Sequence, residues 1–110
     1  MNLIVTTTID SEGAAQAIAR SSVEHRLAAC AQVSGPIRST YRWNDAVETA
    51  DEWLITFKTT QQAGSGLADH IRSVHTYATP EIVSVEITRA GSSPDYLRWI
   101  DANVRPGATG

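Results

Sequence analysis

His75 is the residue best suited to chemistry, since we predict it at the C-terminal end of a helix, with Tyr77 and Glu81 in the turn that follows. Imidazole is a common ligand of copper and zinc, and a nearby carboxylate can ligate the metal or orient the ring. A histidine at this position also has a purely structural use, because its ring can interact with the last carbonyl groups of the helix. The sequence makes His75 a candidate metal ligand and leaves a purely structural role open.

The other two histidines give His75 no partner along the chain. His70 and His75 are five residues apart, which turns them about 140° from each other on a helix. Chelation along one helix needs a spacing of i, i+4. His25 belongs to a different predicted helix and has no partner nearby in sequence. Metal binding at His75 therefore requires ligands from elsewhere, such as other copies of the chain.

Several polar and aromatic residues are candidates for a ligand cleft. Glu52 and Lys58 share one face of a predicted strand, but they are roughly 20 Å apart along it, so they cannot pair within one chain. With Tyr77, Glu81 and Trp99 they could line clefts between subunits. The alternative is that Glu52 and Lys58 are ordinary solvated charges on a strand.

Composition and motifs exclude several function classes. The net charge of −3, without a basic run, argues against nucleic acid as a partner. No apolar segment is long enough to span a membrane, and the N-terminus lacks the features of a signal peptide. The single cysteine, Cys30, allows no disulfide within the chain, so we expect a cytoplasmic protein. Nucleophile-elbow and phosphate-loop motifs are missing, which favours a binding protein over an enzyme.

Hydrophobic spacing predicts a β-α-β-β-α-β order with a C-terminal helix, which is an α+β, ferredoxin-like fold. We predict one domain over residues 1–105 and a flexible tail over residues 106–110. The predicted elements are a strand over 2–8, a helix capped by Asp10 or Ser11, a hairpin that turns at Asn44-Asp45 and returns over 47–59, a helix capped by Thr59 or Thr60, a strand over 82–88 and a helix opened by Ser93-Pro94.

Two of these elements carry informative side chains. The first helix has a narrow stripe of inward positions, which are Ala15, Ile18, Ala19, Ser22, Val23 and Leu27. The central hairpin is longer than a small two-layer domain can cover with its own helices, and an apolar ribbon of this kind marks an interface. We therefore predict that it pairs with other copies of the chain through Tyr41, Trp43, Trp53 and Phe57.

Five motifs in register resemble the CutA divalent-cation-tolerance family, from about residue 3 to residue 104. They are Leu27-Ala28-Ala29-Cys30, Ser39-Thr40-Tyr41-Arg42-Trp43, Glu52-x-Leu54-x-x-x-Lys58-Thr59, His75-x-Tyr77-x-x-Pro80-Glu81-Ile82 and Tyr96-Leu97-x-Trp99-Ile100.

The resemblance implies a cytoplasmic homotrimer joined by extended hairpins and linked to tolerance of copper and other divalent cations. The likeness of that architecture to PII signalling proteins also implies a regulatory role. In some relatives three residues act as copper ligands, and the matching positions here are Thr6, Val74 and His75. Two functions remain open: a trimer that binds copper(II) or another divalent cation weakly, and a trimeric small-molecule sensor with inter-subunit clefts and no metal.

Overall fold

The computed structural model describes residues 1–105. The predicted order of elements and the ferredoxin-like α+β fold are confirmed. Residues 106–110, predicted to be a flexible tail, lie outside the described residues. The elements are β1 (Asn2–Ile9), α1 (Glu12–Glu24), β2 (Cys30–Trp43), β3 (Ala46–Thr60), α2 (Gln61–Val74), β4 (Val83–Glu86) and α3 (Pro94–Asn103).

The four strands form one antiparallel sheet in the order β2-β3-β1-β4. Strand β1 is central and pairs along its whole length with the second half of β3, from Trp53 to Thr60. The first half of β3 pairs only with β2 and extends beyond the rest of the sheet. We call this extension, residues 37–52, the hairpin arm.

Each helix begins at a side-chain cap that the sequence contains. Ser11 accepts a hydrogen bond from the Ala14 N–H, Thr60 from the Ala63 N–H and Ser93 from the Tyr96 N–H. Ser11 rather than Asp10 is therefore the first cap. Thr59 is used differently, because its hydroxyl donates 2.6 Å to the carbonyl oxygen of Leu27.

The main core lies between the sheet and helices α1 and α2. Alternate residues of β1 and β3 face the helices, as expected for a sheet covered on one side. Val23 was predicted to face inward but is 38% exposed, because Ser22 takes the sheet-facing position and the next residue is turned by about 100°. The buried hydrophobic residues of this cluster are Val5, Ile9, Ala15, Ile18, Ala19, Ala28, Ile55, Phe57, Leu67 and Ile71.

Helix α3 forms a second, smaller cluster. Leu97, Ile100 and Val104 are buried, which confirms the predicted inward face of this helix, and they pack with Ala63 of α2. The strand predicted over residues 82–88 is shorter than expected, at Val83–Glu86. One more backbone hydrogen bond follows it, from the Ile87 N–H to the Asn2 carbonyl oxygen at 2.9 Å, where β1 itself begins. Within residues 1–105, no helix is long and apolar enough to cross a bilayer.

A β-bulge between Ser34 and Ile37 sets the side-chain orientation of the hairpin arm. Before the bulge Ser34 pairs with Leu54, and after it Ile37 pairs with Glu52, so the register slips by one residue. A one-residue slip moves every following side chain of β2 to the opposite face. Tyr41 and Trp43 therefore project on the face of the sheet that α1 and α2 leave uncovered.

Gly35 is required at this bulge. Its φ is +152°, and a Cβ atom there would lie 2.7 Å from Cδ1 of Trp53 and 3.0 Å from the carbonyl oxygen of Glu52. At the tip of the arm, Asn44 and Asp45 both have positive φ, at 51° and 63°. Two such residues form the type I′ turn that suits a two-residue hairpin, which confirms the predicted turn.

Candidate functional site

His75 lies where α2 ends, next to the start of the hairpin arm. Its backbone N–H donates to the Ile71 carbonyl as the C-cap of the helix. Its ring Nε2 is 2.8 Å from the carbonyl oxygen of Thr8, and the Tyr77 N–H is 3.0 Å from Nδ1. Because a carbonyl oxygen only accepts, Nε2 carries the proton and Nδ1 accepts from Tyr77. The ring is therefore held in one neutral tautomer with both nitrogens hydrogen-bonded.

Tyr77 connects His75 to Glu52. The rings of His75 and Tyr77 have centroids 4.7 Å apart. The Tyr77 hydroxyl donates a hydrogen bond of 2.7 Å to Oε2 of Glu52. Glu52 is only 8% exposed. Burial first, and then the hydrogen bond to Glu52, raises the pKa of Tyr77 far above its ordinary value. The phenol therefore stays protonated and remains a donor to the carboxylate. We call Thr8, Glu52, His75 and Tyr77 the His75 cluster.

The His75 cluster of one chain does not supply a complete metal site. Copper and zinc in proteins usually take three or more protein ligands. Within residues 1–105, no three His, Cys, Asp or Glu side chains are grouped to hold an ion. The lone pair on Nδ1 of His75 is occupied by the Tyr77 N–H, so coordination would require that hydrogen bond to open. A metal site at His75 is chemically reasonable only if other copies of the chain contribute ligands.

The two positions that match ligands of some relatives do not add donors. Thr6 lies in the middle of β1, paired with Thr56 and Val83. Val74 is the last residue of α2 and is 43% exposed. Neither a threonine hydroxyl nor an isopropyl group is a good copper ligand.

Most of the five residues predicted to line a cleft lie apart from one another in the structure. Glu52 and Tyr77 meet in the His75 cluster, whereas Lys58 lies six residues further along β3 and donates 2.6 Å to Oε1 of Gln32. Glu81 is exposed in the loop before β4. Trp99 stacks on Tyr96 of α3, with ring centroids 5.5 Å apart. One chain brings together only Glu52 and Tyr77 of these five residues.

The aromatic residues predicted for the interface are on opposite faces of the sheet. Tyr41 and Trp43 are 41% and 54% exposed on the hairpin arm. Trp53 is half-buried against Gly35 on the helix-covered face. Phe57, predicted as an interface residue, instead has no exposed surface and belongs to the core under the helices. Of these four predicted interface residues, Tyr41 and Trp43 are the two that present substantial aromatic surface to a partner.

Sequence reasoning missed a contact between two histidines. His25, at the end of α1, and His70, on α2, have ring centroids 5.3 Å apart. The two residues are distant in sequence and meet because α1 and α2 pack side by side on the sheet. Spacing along one helix, the only signal available in the sequence, does not detect contacts between helices.

Comparison with known proteins places this architecture in a described family. The sequence profile of the family described as CutA1 divalent ion tolerance protein matches residues 3–103. The divalent-cation tolerance protein CutA of Thermus thermophilus is 38% identical over 103 residues, which are 94% of this chain and 98% of that protein. Human protein CutA is 38% identical over 93 residues, which are 84% of this chain and 51% of that protein.

Solved structures agree with the sequence comparison. The Thermus thermophilus divalent cation tolerance protein superposes with a TM-score of 0.90 at 37% identity, covering 96% of this chain and all of that chain. The structure described as the periplasmic divalent cation tolerance protein CutA of Archaeoglobus fulgidus also gives 0.90, at 31% identity, with the same coverage. This chain thus spans nearly the whole length of the Thermus thermophilus and Archaeoglobus fulgidus relatives, but about half the length of the human protein.

Proposed function

Because the chain belongs to the CutA1 divalent-ion tolerance family, we propose that it acts in divalent-cation tolerance as a homotrimer, binding copper(II) or another divalent cation weakly. The ion would be held where copies meet, near the His75 cluster. The proposed role is binding rather than catalysis, and the proposed compartment is the cytoplasm. Nucleic acid and membrane are not proposed as partners.

The exposure of the hairpin arm is the observation that supports the proposed homotrimer. Most of its residues are exposed in the single chain, including Tyr41, Trp43 and Val47, at 41%, 54% and 65%. The molecule measures 43 × 31 × 23 Å, and its radius of gyration of 14.4 Å exceeds the value of about 13 Å expected for this length. A long two-stranded ribbon is marginal by itself in water, so contact with other copies would stabilise it.

The His75 cluster lies beside the base of this arm, because Glu52 is the partner of Ile37, the first arm residue. A trimer built on the arms would bring a neighbouring chain close to Glu52 and His75. Since one chain groups fewer than three metal-binding side chains within residues 1–105, a second chain would have to complete the coordination. Imidazole and carboxylate together suit copper(II) or zinc(II).

A small-molecule sensor is the second candidate function, favoured by the hydrogen bonds of His75. Both ring nitrogens are already engaged, and Tyr77 holds one oxygen of the buried Glu52 carboxylate. Such a preorganised polar cluster suits recognition of a ligand with hydrogen-bonding groups in an inter-subunit cleft. In this case no ion is needed.

Native mass spectrometry with copper(II), and then zinc(II), tests the proposal. The variant His75→Gln keeps a side chain that can hydrogen-bond to Thr8 but is a poor copper ligand. Glu12→Gln, at an exposed residue of α1, is the control outside the cluster. We expect a trimer in all three proteins and loss of bound ions specific to His75→Gln. Equal ion uptake by wild type and His75→Gln would reject the metal site and direct attention to small molecules.

A further inference from the structure

We propose that His25 and His70 form a second, two-imidazole binding site for a late transition-metal ion such as zinc(II) or copper(II), on the outer surface where α1 meets α2. This site uses no residue of the His75 cluster. His75 caps the end of α2 five residues after His70, which turns the two about 140° apart around the helix axis, so the two sites face different directions.

The hydrogen bonds fix the tautomer of His25. Its Nδ1 is 2.7 Å from the carbonyl oxygen of Ser21, so Nδ1 carries the proton. Nε2 then bears the lone pair, and no group within residues 1–105 hydrogen-bonds to it. His25 is exposed, so this nitrogen is accessible to an ion from solvent.

His70 is held in the complementary way by the same residue. The Ser21 hydroxyl donates to the Ile18 carbonyl at 3.2 Å, which uses its only proton. It therefore accepts from Nε2 of His70, at 2.8 Å. Nδ1 of His70 bears the lone pair, again without a hydrogen-bond partner in the described part of the chain. One residue, Ser21, thus orients both rings and leaves one ligating nitrogen on each.

This arrangement has the anchoring typical of metal-bound histidines. A histidine ligand usually donates its other ring N–H to a carbonyl or another acceptor, which fixes the tautomer and the ring orientation. His25 and His70 already make these bonds without an ion. Burial, and then the neighbouring His25, lowers the pKa of His70. A lowered pKa favours the neutral ring, which is the form that binds metals.

The distance between the rings also fits a shared ion. With metal–nitrogen bonds of about 2.0–2.1 Å, two imidazoles in a tetrahedral or cis square-planar shell have ring centres roughly 4.5–5.2 Å apart. The observed separation is 5.3 Å. Small movements of the two side chains would reach the required distance, and water would complete the shell. Because two protein ligands are fewer than the usual three or more, we expect the ion to bind weakly. Imidazole nitrogen selects zinc(II) and copper(II) over magnesium and calcium.

Imidazole NMR tests this site directly, because the chain has only three histidines. Long-range ¹H–¹⁵N spectra of the intact, metal-free protein at pH 7.5 should show Nδ1–H for His25 and Nε2–H for His70. On titration with zinc(II), the signals of His25 Nε2 and His70 Nδ1 should move together and saturate at the same zinc concentration.

Variants separate this site from the one at His75. His25→Gln should abolish the zinc-dependent shift of His70, and His70→Gln should abolish that of His25. His75→Gln is the control and should leave both shifts unchanged, whatever the fate of the His75 cluster. Ser21→Ala should weaken zinc affinity about tenfold by releasing His70. The proposal is overturned if either histidine still responds fully to zinc without the other, or if neither responds in the wild type.

Discussion

The two halves of strand β3 differ in whether helices cover them. From Trp53 to Thr60 it is flanked by β1 and β2 and covered by helices, and its alternate residues are buried. From Ala46 to Asp51 it pairs with β2 in the same way but is almost entirely exposed. The comparison shows that backbone pairing can extend a hairpin, whereas burial needs a second layer. The single chain supplies that layer only to the body of the domain.

Removing a large side chain from the body should have the largest effect. Phe57→Ala empties a fully buried position, and we expect it to lower the free energy of unfolding by about 3–5 kcal/mol. Urea denaturation at a fixed subunit concentration measures this change, since the stability of an oligomer depends on concentration. Tyr41→Ala, in the arm, is the control and should alter subunit association while leaving the circular dichroism of the folded body unchanged. Similar loss of folded structure in both variants would contradict the view that the body provides the folding stability and the arm provides subunit contacts.

The junction between body and arm should be sensitive to loss of one hydroxyl group. Tyr77→Phe removes the donor to Glu52, a buried carboxylate, and should cost about 1.5–3 kcal/mol of unfolding free energy. Tyr41→Phe is the matched control, because the Tyr41 hydroxyl makes no hydrogen bond within residues 1–105 and its ring is kept, and it should change stability by less than about 0.5 kcal/mol. Denaturation of both variants in parallel measures the difference, and equal stability would mean that the Glu52 bond contributes nothing.

Adding a Cβ atom at Gly35, in the β-bulge between the helix-covered body and the hairpin arm, should destabilise the protein. Gly35→Ala combines positive φ with contacts as close as 2.7 Å to Trp53, and we expect a loss of about 1–3 kcal/mol. Gly91→Ala is a useful control, because Gly91 also has positive φ, at 85°, but no atom of residues 1–105 lies within 4 Å of its added Cβ. Thermal denaturation of both variants separates crowding from backbone strain. A larger loss at Gly91 would show that the bulge can relax.

A smaller effect is expected in the alkaline pH dependence of stability. The pKa of Tyr77 is raised in the folded chain, first by burial and then by Glu52, above its unfolded value of 10.0. Its contribution is therefore complete below pH 10 and is lost as the pH rises above it, because the unfolded chain ionises first. Tyr77→Phe should reduce this slope above pH 10. An unchanged slope in urea denaturation across that range would contradict the assigned hydrogen bond.

Much of the fold was predictable because its signals are local. Helix caps such as Ser93 and the turn at Asn44-Asp45 depend on a few neighbouring residues, and periodicity gives the order of elements. The face from which Tyr41 and Trp43 project was not predictable in this way. The bulge at residues 34–37 decides which face of β2 meets which face of β3, and a one-residue slip leaves no clear mark in hydrophobic spacing.

The site was less predictable than the fold because its contacts join distant segments. His75 could be nominated from its residue type and position, but its bond to Thr8 spans 67 residues of sequence. The pairing of His25 with His70 likewise depends on how two helices pack. Residue chemistry identifies candidate groups, whereas tertiary contacts determine which lone pairs remain available to a ligand.

The oligomeric state of the metal-free protein tests the central claim most directly. Native mass spectrometry at micromolar concentration should show a complex of three chains. Trp43→Glu, on the exposed arm, should disperse it, whereas Trp99→Glu, at an aromatic residue of similar exposure on α3, should leave it intact. A wild-type protein that is monomeric at this concentration would contradict the claim that the hairpin arm is covered by other copies of the chain.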